Sequence, residues 1–196
     1  MDDELKVSFE RTVKGEEAIV LTNGLHNLDN PKLLDILQKT GVPSELFRQL
    51  VSVQYDWKIA PTHKEVFSHG EKLEDLEIGI VDTELGETEV SEISLYPDAI
   101  DPQNISLHLK QRDHRGFEAI LVMEGAASLF FPDVVNPVGT GLYARSNKGT
   151  HVNLKKGDLV FIPAPTANGW ERATEGFKFR YIGFPPWNSD FVAPTI

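Results

Sequence analysis

Residues 112–125 read Arg-Asp-His-Arg-Gly-Phe-Glu-Ala-Ile-Leu-Val-Met-Glu-Gly, a charged half running into an apolar one. In the apolar half both strand parities are hydrophobic: Ile120 and Val122 fall on one face, Ala119, Leu121 and Met123 on the other. Side chains alternate along a strand, so this segment is predicted to be a strand buried on both faces. Such a strand needs a second layer outside its own barrel or sandwich. The N-terminal arm, a helical segment or a second subunit are the candidates. In the charged half, Arg112 and His114 share one parity, and Glu118 follows His114 by four residues across a turn at Gly116.

Outward from this strand, the chain beyond residue 78 is a series of short apolar runs divided by turn residues. They cover 78–83, 90–96, 105–109, 119–123, 128–131, 159–162 and 177–184. That texture predicts an all-β sandwich or barrel. Upstream, strand-like pieces at 7–9 and 18–21, broken by Gly15 and by the turn pair Asn23-Gly24, form a short β arm. Asn30 then suits an N-cap and Pro31 the first helical position, with Leu33, Leu34 and Leu37 on one face before Gly41 ends the helix. Ser44 opens a second helix whose Leu46, Phe47, Leu50 and Val51 make another apolar stripe. The pair has the outline of a DNA-reading helix pair, but the second helix carries only Arg48 as a base, so it is predicted to pack rather than to read phosphates.

The 196 residues, 40% hydrophobic and 25% charged, suit one domain with a sizeable core. The expected division is an N-terminal arm and helical extension over 1–75 packed on a β-barrel over 76–196. No run reaches the roughly 20 apolar residues of a membrane span, and the acidic start lacks the basic and apolar stretches of an export signal. The expected location is the cytoplasm, where the sequon-like Asn104-Ile105-Ser106 is idle. With no cysteine, disulfides and thiolate sites are excluded, and any metal must use His, carboxylate or amide ligands. The 19 basic and 30 acidic residues give a net charge of -11, which repels nucleic acid. Much of that excess lies in residues 71–98, where ten acids face the single Lys72, a run read as a solvated face.

A second stretch, residues 157–172, reads Gly-Asp-Leu-Val-Phe-Ile-Pro-Ala-Pro-Thr-Ala-Asn-Gly-Trp-Glu-Arg. Together with 112–125 it resembles the two signature motifs of the cupin superfamily, whose fold is a double-stranded β-helix. His114, Glu118, Gly125, Gly157 and Pro163 match the family's pattern. Arg112 stands in place of its first metal-binding histidine and Asn168 in place of its last. Ser106, Pro165 and Arg172 replace two glycines and the closing asparagine. The resemblance extends in style over 76–187, with its specific residues between 112 and 168. It implies a mainly β, cupin-type barrel, here with an N-terminal β arm and two short helices.

For the site, the resemblance implies His114 and Glu118 as acid/base groups or metal ligands, with Asn168 or His108 completing a shell. Arg112 cannot ligate and repels a cation beside it. The expected cofactor is therefore none, or a weakly bound iron, zinc, nickel or manganese ion. Arg112 is expected to hold an anionic oxygen, with His108, Asn168, Ile120 and Val122 also lining the ligand, or else to neutralise a buried Glu118. The activities implied are those of a cupin-type oxygenase, isomerase, lyase or cyclase acting on a small anionic or carbonyl-bearing metabolite; the alternative is a non-catalytic sensor or binding module. A small-molecule ligand and a homodimer are the expected partners, without nucleic acid or membrane. His151, three residues before Leu154, is expected to face away from the interior if Leu154 faces in. His26, His63 and His69 are assigned to surface or packing. No phosphate loop, GxSxG elbow or HExxH helix occurs.

Overall fold

A computed structural model describes residues 18–52, 63–69, 72–100, 107–109, 116–133, 135–139, 142–145, 148–164, 166–186 and 192–193. A short strand β1 (Ile19–Leu21) leads to two helices, α1 (Pro31–Thr40) and α2 (Ser44–Ser52). The long strands β2 (His63–His69), β3 (Lys72–Thr83) and β4 (Gly86–Leu95) form a meander. The short β5 (Leu107–Leu109) precedes β6 (Phe117–Glu124) and β7 (Ala126–Pro132), and a hairpin of β8 (Val135–Gly139) and β9 (Leu142–Arg145) follows. The chain returns through β10 (Gly149–Lys155), β11 (Leu159–Pro163), β12 (Ala167–Ala173) and β13 (Phe177–Phe184) to β14 (Val192–Ala193).

The pairing explains the shape. Strands β4·β13, β5·β12, β6·β11 and β7·β10 are antiparallel partners, the successive rungs of one long folded ribbon. Coiling that ribbon sends its rungs alternately into two sheets and brings β6 beside β13 and β7 beside β12. One sheet has the order β1-β11-β6-β13-β4-β3-β2 and the other β10-β7-β12-β5-β14. This strand order is the double-stranded β-helix, so the fold is cupin-type.

Two apolar clusters follow from strand alternation. Ile120, Val122, Leu129, Phe131, Val160, Ile162, Phe177 and Phe179 meet between the sheets as the interior. Phe117, Ala119, Leu121, Leu159, Phe161 and Ile182, on the other face of the first sheet, are buried under Leu33, Leu37, Phe47, Leu50 and Val51 of the helices. The helices therefore supply the outer layer that the doubly apolar β6 requires. Phe47 is the wedge, edge-on to Phe117 at 6.3 Å and to Phe161 at 5.4 Å between ring centroids. The Asn30 side chain accepts from Lys32 N at 2.9 Å, and Gly41 closes α1 in the left-handed region at φ 72. Arg48, the lone base of α2, is ion-paired with Asp29.

Several local expectations shift. Asn23-Gly24 opens a 3-10 turn over Gly24–His26. The strand expected at 78 begins at Lys72, and strands β2, β8, β9, β10, β12 and β14 lie outside the seven expected runs. The strand-like piece at 7–9 lies outside the described residues. Leu154 is buried in the interior and His151 is exposed, as their parity requires.

Candidate functional site

Register lines up the interior face of the first sheet in rows. Ile162, Glu118, Gly183 and Glu89 are successive Cα partners across β11, β6, β13 and β4. The next row is Val160, Ile120, Tyr181 and Ser91, and beyond it Val122, Phe179 and Ile93 continue on β6, β13 and β4. Directly opposed residues in an antiparallel sheet share a face. The interior is thus apolar along most of its depth and polar over two rows at one end. At that end Asn168 enters from β12 of the facing sheet.

Glu118 is only 2% exposed and Asn168 3%, so both are interior groups. Asn168 Nδ2 donates to Glu118 Oε2 at 2.8 Å. The Tyr181 hydroxyl donates to Glu118 Oε1 at 3.2 Å. Glu89, also buried, accepts from the Ser91 hydroxyl at 2.6 Å. Burial, then the charges of Glu118 and Glu89, then the hydrogen bond to Glu118 push the Tyr181 phenol well above its usual value. The phenol is therefore a donor that keeps its proton. A carboxylate offers about four acceptor positions, so the two donors on Glu118 leave room for a ligand's.

Of the sequence-predicted residues, Glu118 and Asn168 are brought together. Asn168, expected to line a ligand or to complete a metal shell, turns its amide nitrogen to Glu118, because a carboxylate can only accept. Ile120 and Val122 pack in the interior cluster beside Val160, Ile162, Phe179 and Tyr181. His108 lies on β5 as the register partner of Asn168. Arg112 and His114 lie outside the described residues. Sequence reasoning missed Tyr181, Ser91 and Glu89. Their signal was parity: Tyr181 shares the strand parity of Phe177 and Phe179, and Glu89 and Ser91 share that of Ile93 and Leu95. The acidic run is accordingly not wholly a solvated face, since Glu89 points inward and Glu92 is ion-paired to Lys178 and Arg180.

The motif glycines hold the two turns at the opposite end of β6. Gly125 at φ 71 and Gly157 at φ 90 occupy the left-handed region. Gly157 N donates to Val122 O at 2.8 Å, and Lys156 N to Gly125 O at 3.1 Å, so the turns are pinned to each other. A Cβ on Gly125 would lie 2.9 Å from Phe177 Cα, which leaves no space for a side chain.

Among the described residues no three His, Cys, Asp or Glu side chains converge on a common point. At the polar end of the interior the described carboxylates are Glu118, which accepts from Asn168 and Tyr181, and Glu89, which accepts from Ser91, a donor set without the imidazoles that transition-metal ions favour.

No protein-family model matches the chain, and no curated protein matches it. Among solved structures it is similar to a variant of Streptomyces PAC13 with uridine, at 13% identity over 70% of this chain and 89% of that one, TM-score 0.42. It is also similar to a cupin superfamily protein from Desulfitobacterium hafniense, at 16% identity over 59% and 81%, TM-score 0.35. A third likeness is to hydroxypropylphosphonic acid epoxidase from S. wedmorenis, at 11% identity over 63% and 55%, TM-score 0.41. Likenesses this distant carry neither an activity nor a ligand to this chain. The strand order is what makes its fold cupin-type.

Proposed function

We propose that the chain is a cupin-type enzyme acting on a small anionic or carbonyl-bearing metabolite, without a tightly held metal ion. The supporting observation is Glu118: a carboxylate at the polar end of an apolar barrel, held by Asn168 and Tyr181 and with acceptor capacity to spare. A buried carboxylate is costly, and an interior this apolar has no packing need for one. In this reading Glu118 takes a proton from the ligand, His114 shares the acid/base work and Arg112 pairs with the ligand's anionic oxygen. Ile120 and Val122 keep water away.

The test is deuterium exchange in D2O with a panel of small keto acids, aldehydes and hydroxy acids, followed by proton NMR. The wild type is expected to exchange protons α to a carbonyl in at least one compound. Glu118→Gln should abolish the exchange and Arg112→Met should weaken binding about tenfold or more. No binding of any compound at millimolar concentration overturns the reading. The rival reading, a non-catalytic sensor, draws on the double occupation of Glu118 by internal donors. Binding without exchange would favour it.

A further inference from the structure

We infer that Tyr181 is a positioning residue for Glu118: it donates to Oε1 from β13 while Asn168 donates to Oε2 from the facing sheet, clamping the carboxylate with both oxygens in the accepting role. The inference rests on the reading of Glu118 as the group that takes the ligand's proton. A clamp of this kind fixes the plane of the carboxylate, and with it the direction of the lone pairs left for a ligand.

Three features of the barrel make Tyr181 suited to the task. It stands one row inside Glu118 on the neighbouring strand, where Ile120 is its direct partner, so its ring lies on the apolar floor while its hydroxyl reaches the polar end. Its hydroxyl is directed to Glu118, and Glu89, the other carboxylate in that row, has the Ser91 hydroxyl as a donor. Gly183, between Glu118 and Glu89 in the register, places no side chain of β13 between the two carboxylates.

The experiment is carbon NMR at pH 7 on the full chain labelled at tyrosine Cζ. The chain has four tyrosines, and Tyr181→Phe identifies the signal. Glu118→Gln should move the Tyr181 resonance, because it changes the acceptor of the phenol's hydrogen bond. Glu89→Gln should leave that resonance in place, because the phenol's bond goes to Glu118. Glu118→Met provides the same comparison should the glutamine variant fold poorly. A purely structural phenol gives one neutral-form resonance in wild type and both Glu118 variants, and that result overturns the inference. In the exchange assay, Tyr181→Phe should lower the maximal rate about tenfold with half-saturation unchanged. The two readings fail separately. A coupled Tyr181 in a protein that exchanges nothing removes the enzymatic reading and leaves the clamp. A Tyr181 resonance that the Glu118 variants leave unmoved removes the clamp alone.

Discussion

Glu92 and Arg180 are register partners on β4 and β13 and face away from the barrel interior, where Arg180 also donates to the Val51 carbonyl of α2. Burial raises the Glu92 carboxyl, but hydrogen bonds from Arg180 and Lys178 and the charges behind them outweigh it and hold the group below its ordinary value of 4.5. A carboxyl depressed by the fold stabilises the fold fully above its unfolded value and loses that contribution as pH falls through the folded one. Glu92→Gln is therefore expected to cost about 1 kcal/mol at neutral pH, a modest figure because the glutamate is partly open to water. Its deficit should shrink in urea unfolding as pH drops below 4.5. A deficit that stays constant down to pH 3 would contradict this. At this scale the sequence was partly legible. Glu118 and Asn168 emerge from the resemblance to the cupin motifs, whereas the parity of Tyr181 with Phe177 and Phe179 tells only which face it takes, and its place beside Glu118 comes from the register of β13 against β6. Glu89 was hidden by its neighbours, because a buried acid inside an acidic run has the same composition as a solvated one.

At the scale of elements, the helices are held by packing more than by their own propensity, since helices of ten and nine residues are marginal alone. Phe47 is fully buried between Phe117 and Phe161. Phe47→Ala should cost about 3–5 kcal/mol in urea unfolding, with helical circular dichroism lost in the same transition as the sheet. A loss under about 1 kcal/mol, or an earlier separate helical transition, would show that the helices do not form the outer layer. Both helices were legible, from Asn30, Pro31 and Gly41 at the ends of the first and from the apolar stripes of both. Strands with long apolar runs were legible too. β10 and β12 were not, because β10 buries only Val152 and Leu154 and exposes His151, Asn153 and Lys155, and β12 carries the polar Glu171 and Arg172 beyond a register shift. Their pairing with β7 decides them, and that contact is distant in sequence.

On the scale of the whole molecule, one coiled ribbon sets a carboxylate from the first sheet against an amide from the second. The fold class followed from strand texture and two motif turns, but the closure of the site followed from the coil. Purified without chelator, the protein is expected to hold well under one transition-metal ion per chain by elemental analysis, because Arg112 and Asn168 replace ligands and the described donors around Glu118 are N–H and O–H groups. Near-stoichiometric metal lost on His114→Ala would contradict that. The central claim, that the Glu118 cluster is kept for ligand chemistry and not for stability, is tested most directly by urea unfolding of the triple variant Glu118→Met, Asn168→Leu, Tyr181→Phe. Replacing a buried polar cluster by apolar groups of similar size is neutral or stabilising when the cluster serves function. The account predicts a stability equal to or above the wild type; a loss of about 3 kcal/mol or more would make the cluster a structural element and contradict it.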